Sequence, residues 1–167
     1  MNEPVSKSTR RSKGSYFNSP INVLPALSAQ VRLRVAFSDV DPMAVVWHGR
    51  YGQYCEKAYA ELTRSCGISY HDFFQARLRA PIVQAHMDYY EPLLLEEEFT
   101  VTANLIWCEG ARMNVEYVLA KTEGSIAATG YTVQMFTEHT GIPLLTIPPL
   151  IEKLRQRWLK GEFKCLQ

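Results

Sequence analysis

Ser38-Asp39-Val40-Asp41-Pro42-Met43-Ala44-Val45-Val46-Trp47-His48-Gly49-Arg50-Tyr51 marks the place where one periodic pattern ends and another begins. Before it, Val31, Leu33, Val35 and Phe37 alternate with Arg32, Arg34 and Ala36, the period-two signature of a strand with one buried face. After it, Tyr51, Cys55, Ala58, Leu62 and Cys66 recur at three- and four-residue spacing, while Arg50, Gln53, Lys57, Glu61 and Arg64 occupy the other faces. This spacing predicts an amphipathic helix of roughly 17 or 18 residues, closed by Gly67 as its C-cap. The stretch is therefore a strand-to-helix loop carrying two acids, placed just before helix amides that have no intrahelical acceptor.

Downstream, Ile68 to Ala80 reads as a turn or short helix around His71-Asp72-Phe73-Phe74, and Pro81 opens a strand from Ile82 to Tyr90. Three more strand patterns follow, around Phe99 to Trp107, Met113 to Leu119 and Ser125 to Thr137. Glu109-Gly110 and Thr122-Glu123-Gly124 are hairpin-length connectors, so these three should form an antiparallel meander. Pro148-Pro149 then precedes a short amphipathic helix with Ile151, Leu154 and Trp158 on one face. The expected class is α+β: a five-stranded antiparallel sheet covering its apolar face with one long central helix. One helix is little cover for five strands, and pairing two sheets edge to edge gives a homodimer or homotetramer.

The 167 residues, 47% of them hydrophobic, fit one domain able to bury a core without disulfides. We place it at 30–160, between a flexible N-terminal tail over 1–29 and a short tail over 161–167. The tail holds the basic cluster Arg10, Arg11 and Lys13, but a formal charge of +1 provides no broad field for nucleic acid. Nothing approaches the roughly 18 apolar residues of a membrane span or the apolar core of a secretory signal, so a cytoplasmic protein with no membrane partner is expected. The four cysteines are widely spaced without a C-x-x-C pair and read as free thiols.

Asp39-x-Asp41-Pro42-x-x-x-Val46-Trp47-His48-x-x-Tyr51, followed by Glu56-x-Ala58 and later by Asp88-Tyr89-Tyr90-Glu91-Pro92, resembles the 4-hydroxybenzoyl-CoA thioesterase family of hotdog-fold acyl thioesterases. The resemblance spans roughly Val31 to Thr137 and implies hydrolysis of an acyl-CoA or acyl-carrier-protein thioester to free acid and thiol. It implies that Asp41 is the catalytic carboxylate, as nucleophile through a mixed anhydride or as general base for water. It also implies that the backbone N–H of His48 polarises the thioester carbonyl at the positive end of the helix. Val46, Trp47, Gly49 and Tyr51 would then lie against the substrate. No cofactor is implied, CoA or phosphopantetheine being part of the substrate.

Read from the residues alone, Asp39 and Asp41 could equally form Asx-turns or cap the helix, and for Asp39 that is the reading adopted. The His48 imidazole could meet substrate or water, or satisfy a polar group at the helix start. Asp39, Asp41 and His48 lack the spacing of a zinc or calcium loop, so no metal is assigned. Arg64, Arg77, Arg79 and Arg112 are candidates for CoA phosphates, with solvated surface positions as the commoner fate. Many relatives have Gly where this chain has Ala44, Asn where it has Arg50 and Arg where it has Tyr59. Glycine tolerates positive φ and close substrate approach at little steric cost and alanine does not, so either the loop is re-formed or the acyl pocket differs. The run Met43 to Gly49 resembles a subset found with polyketide or aryl-polyene biosynthesis, in which the carrier is an acyl carrier protein. Two alternatives stand beside hydrolysis: a hotdog dehydratase or hydratase of a 3-hydroxyacyl thioester, and a non-catalytic acyl-thioester binding module.

Overall fold

The computed structural model describes residues 15–17 and 24–163. In chain order it forms β1 (Leu27–Arg34), α1 (Tyr51–Cys66), α2 (Tyr70–Gln75), β2 (Leu78–Arg79), β3 (Ile82–Tyr89), β4 (Glu98–Ile106), β5 (Arg112–Lys121), β6 (Ile126–Met135), β7 (Thr137–Glu138) and α3 (Pro149–Leu159). Five strands make one antiparallel sheet in the order β1-β4-β5-β6-β3, and α1 is the long helix at its centre. This is the hotdog arrangement. β2 and β7 pair separately, Leu78 opposite Glu138 and Arg79 opposite Thr137.

Alternation builds the sheet's inner face. Phe99, Val101, Ala103 and Leu105 of β4 are buried, as are Met113, Val115, Tyr117 and Leu119 of β5. Against them α1 sets Tyr54, Ala58, Leu62 and Cys66, and the Tyr54 ring meets Phe99 edge-on at 4.9 Å. Fully burying a side chain such as Leu62 contributes roughly 1.5–3 kcal/mol, so this seam fixes where α1 lies. Gly67 closes α1 at φ 72°, its N–H donating to Arg64 while the Ile68 N–H donates to the Thr63 carbonyl. α3 caps one end of the sheet: Ile151, Leu154 and Trp158 are buried, and Arg155 donates to the carbonyls of Glu109 and Gly110.

Three expectations need correction. β1 begins at Leu27, four residues before Val31, so 27–29 belong to the sheet and not to the tail; Leu27 and Ala29 continue the buried alternation. Phe37 is 83% exposed, because the chain leaves the sheet at Val35 and turns through a 3-10 segment at Phe37–Asp39. α1 starts at Tyr51, and His48–Arg50 forms a 3-10 turn leading into it. The basic cluster at Arg10, Arg11 and Lys13, the C-terminal tail from 164 and Cys165 lie outside the described residues. Cys55, Cys66 and Cys108 are free thiols, and burial pushes the Cys55 thiol up to about 12. No helix among the described residues is long and apolar enough to cross a membrane.

Ser15–Phe17, within the stretch assigned to the tail, docks on the outer face of the sheet. The Tyr16 hydroxyl donates to Asp88 Oδ2 at 2.8 Å and pairs with Thr129 Oγ1, which also meets the Tyr90 hydroxyl at 3.1 Å. A carboxylate only accepts, so the protons run in one direction, from Tyr90 to Thr129 to Tyr16 to Asp88. The Tyr16 ring packs against His86 and Tyr131, and the Phe17 ring also meets Tyr131. Thr129 is 5% exposed, so losing this partner leaves a buried hydroxyl short of one bond. Tyr16→Phe is expected to lower stability by about 1–2 kcal/mol, read as a lower urea midpoint at unchanged m.

The two sheet edges differ. β1 carries Arg32 and Arg34, both paired with Glu98, and charges on an edge oppose further strand addition. β3 presents Ile82 and Val83, each about half exposed.

Candidate active site

The loop between β1 and α1 folds back on itself as a tight connection. The Asp41 N–H donates to the Val45 carbonyl at 2.9 Å, and the Ala44 N–H donates to the Asp41 carbonyl at 2.9 Å. Pro42 follows Asp41, its fixed φ suiting the second position of a turn, and the Met43 N–H donates to Asp41 Oδ1 at 2.8 Å. Asp41 therefore does form an Asx-turn, but with one oxygen; the other makes no hydrogen bond among the described residues. Antiparallel bridges Val40–Val46 and Val45–Leu94, with the Val46 N–H on the Leu93 carbonyl, tie the loop to the segment after β3.

Ala44 holds φ at 60°, in the left-handed region. The loop has kept the conformation that glycine would adopt freely, and alanine is strained there by about 1–2 kcal/mol. Ala44→Gly should thus raise stability, by roughly 0.5–1 kcal/mol once the more flexible unfolded chain is allowed for. Chemical denaturation of the two proteins side by side checks this.

Asp39 has a different occupation. Its Oδ2 accepts from the Tyr54 hydroxyl at 2.8 Å and from the Ala36 N–H at 3.1 Å, and its Oδ1 lies 3.7 Å from Arg50 Nε. Arg50 also donates to the Ser38 carbonyl. Asp39 thereby pins the loop to the first turns of α1.

Asp41, Val46, His48 and Tyr51 meet on one open cavity of about 320 Å³. The opposite wall is Tyr89 to Pro92, the end of β3 and the residues after it. Tyr89 joins through an edge-on contact with Tyr51 at 4.9 Å. Glu91 is a second carboxylate on this wall and accepts from Ser125. The sequence motif Asp88 to Pro92 pointed to this segment as a family likeness, but only pairing of β3 with β6 brings it across from Asp41.

At the entry to α1, the N–H of His48 finds no acceptor among the described residues. Such a donor, at the positive end of a helix and beside a carboxylate, is suited to an oxygen that gains negative charge. The His48 imidazole is exposed and lies 5.0 Å from the Trp47 ring. Trp47 itself is 51% exposed, and it and Gly49 do not line the cavity. Gly49 has a steric reason of its own: a Cβ there would come within 2.2 Å of the Trp47 ring. Met43 and Trp47 are exposed, and of the apolar run Met43 to Trp47 only Val46 is buried.

Among the described residues no cluster of His, Cys, Asp and Glu could hold a metal ion. Of the arginines considered for phosphates, Arg64 pairs with Glu61 and Arg112 donates to Cys108, while Arg77 and Arg79 border a separate cavity beyond α1.

Comparison with known proteins adds a second line of observation. The family model described as "Thioesterase-like superfamily" matches residues 35–157. The chain is 26% identical over 128 residues to a 1,4-dihydroxy-2-naphthoyl-CoA hydrolase of Thermosynechococcus vestitus, covering 76% of this chain and 85% of that protein. It is 28% identical over 132 residues to the protein of the same name from Rippkaea orientalis, covering 76% and 91%. Among solved structures, a DHNA-CoA thioesterase from Staphylococcus aureus superimposes with a TM-score of 0.70 at 19% identity, over 84% of this chain and 99% of that one. At that identity the likeness shows the fold.

Proposed function

This chain belongs to the thioesterase-like superfamily, and from that membership we propose that it hydrolyses an acyl-CoA or acyl-carrier-protein thioester to a free acid and a thiol. The observation that carries the reading is the meeting of Asp41 and the unoccupied His48 amide on one cavity. In this reading the thioester carbonyl oxygen accepts from the His48 N–H while Asp41 attacks the carbon or deprotonates water. The relatives named for 1,4-dihydroxy-2-naphthoyl-CoA make an aromatic acyl-CoA a natural first substrate to offer. Thiol release from a panel of aromatic and aliphatic acyl-CoAs and acyl carrier proteins tests the proposal. No thiol from any member would rule it out.

The hydratase alternative needs a histidine working with an acid. Among the described residues His86 contacts the Asp88 carboxylate at 3.1 Å, in the outer-face network with Tyr16, while His48 lies against Trp47. The binding-module alternative drew on Ala44, yet the loop retains its left-handed residue and presents Asp41 to the cavity.

We further read the molecule as a homodimer joined through β3. Antiparallel pairing about a two-fold axis would bury Ile82 and Val83 and set the Tyr89 end of each β3 beside its neighbour's Ile82 end. The Tyr89 end walls the Asp41 cavity, so each site would abut the second subunit. Val83→Lys should shift the protein toward monomer in size-exclusion chromatography with light scattering and lower activity with it. A dimer of unchanged strength would show that another surface is used.

A further inference from the structure

Between α1, α2 and the β2–β3 segment lies a cavity of about 970 Å³ that the reaction proposed above does not use. A cleft of about 260 Å³ along α1 and β3 lies between it and the Asp41 cavity. The cleft shares Tyr51 and Tyr89 with the Asp41 cavity, and shares Glu56, Ile82 and Tyr117 with the larger one. The three spaces therefore lie in one row along α1. Its length follows from α1: Tyr51 at one end and Tyr59 at the other are eight residues apart, which is about 12 Å of helix, or roughly ten bonds of extended chain.

The far end has an apolar and aromatic wall of Tyr59, Phe73, Leu78 and Tyr117, with Arg77, Arg79, His139 and Gln134 also on its lining. One of those is unusual. Gln134 is 3% exposed, and its Oε1 accepts from the Tyr59 hydroxyl at 2.8 Å. Its Nε2 donates to no acceptor among the described residues, yet it is not sealed off in the core. A buried amide donor left facing a cavity lacks one bond, and a ligand oxygen can supply the acceptor. The Tyr59 hydroxyl donates to Oε1, and Glu56, at the junction of cleft and cavity, accepts from the Tyr70 hydroxyl; neither makes a hydrogen bond with Nε2 among the described residues.

We propose that this row is an acyl-tail compartment, and that Gln134 selects an acyl group carrying a hydrogen-bond acceptor, a hydroxyl or keto oxygen, near its far end. The proposal rests on the hydrolase reading for the identity of the reacting end, but the compartment itself can be tested by binding alone.

The test uses dodecanoyl-CoA, 12-hydroxydodecanoyl-CoA and butanoyl-CoA in steady-state kinetics, and the two free C12 acids in calorimetric titration. The full-length protein should favour the hydroxylated C12 compound by about five- to tenfold in kcat/KM and in Kd, the worth of one recovered hydrogen bond. Gln134→Met combined with Tyr59→Phe removes both polar partners together, so no orphan hydroxyl remains, and should bring that ratio to one. Ala80→Phe, which fills the cavity at a half-exposed position, should lower the dodecanoyl-to-butanoyl ratio about tenfold. Equal binding of the two acids by the parent protein overturns the proposal. So does a hydroxyl preference that survives the double substitution, or a chain-length ratio untouched by Ala80→Phe. If no thioester is cleaved but the acids show the preference and its loss, the compartment stands and the hydrolase reading fails. Cleavage without preference has the opposite meaning.

Discussion

Asp41→Asn is expected to lower kcat/KM for acyl-CoA hydrolysis by about 10²- to 10⁴-fold while leaving the unfolding midpoint nearly unchanged. The two oxygens of Asp41 do separate jobs. Oδ1 accepts the Met43 N–H and so helps to shape the turn, whereas the second oxygen has no partner among the described residues. Asparagine keeps a carbonyl oxygen for Met43 and replaces the second oxygen with an NH₂ group, which can neither attack a thioester nor remove a proton from water. Asp41→Ala removes both functions, and should cost activity by a similar factor together with about 1 kcal/mol of stability from the lost turn bond. Comparing the two variants separates chemistry from loop shape. Activity of the asparagine variant at the parental level would remove Asp41 from the reaction.

The parts of the fold written in local spacing were legible in the sequence. α1 announced itself through Tyr51, Cys55, Ala58, Leu62 and Cys66, and its end through Gly67, because a helix face and a left-handed cap are properties of neighbouring residues. The boundaries were less so. Leu27 and Ala29 are buried, but Pro25 and the polar residues around them made the segment read as tail, and only pairing with Leu105 and Ala103 of β4 makes it a strand. Trp47 entered as a substrate contact through the family resemblance, and its half-exposed ring lies over Gly49, a placement that local spacing does not encode. Ser15–Phe17 had no periodicity to detect. It is held by Asp88, Glu116, Thr129 and Tyr131, partners about 70 to 115 positions away along the chain. The Gln134 cavity, and the placement of the Tyr89–Pro92 motif across from Asp41, escaped for the same reason, since each joins segments far apart along the chain.

His48→Pro should reduce kcat by about 10²- to 10³-fold, and His48→Ala by far less, if the group that polarises the carbonyl is the amide and not the imidazole. Proline is the one coded residue that deletes a backbone N–H, and this position tolerates it unusually well. His48 is the first residue of the 3-10 turn, where the N–H has no intrahelical acceptor to lose. The residue before it, Trp47, sits at φ −62° and ψ 132°, in the extended region that a following proline requires. The fold should therefore survive the exchange, and circular dichroism with thermal unfolding will show whether it does. Alanine keeps the N–H and removes the ring, which is exposed and lies tilted against Trp47, away from any carboxylate partner among the described residues. A proline variant that folds and turns over like the parent would mean that the helix start does not bind the oxyanion. A large loss in the alanine variant instead would transfer the role to the imidazole.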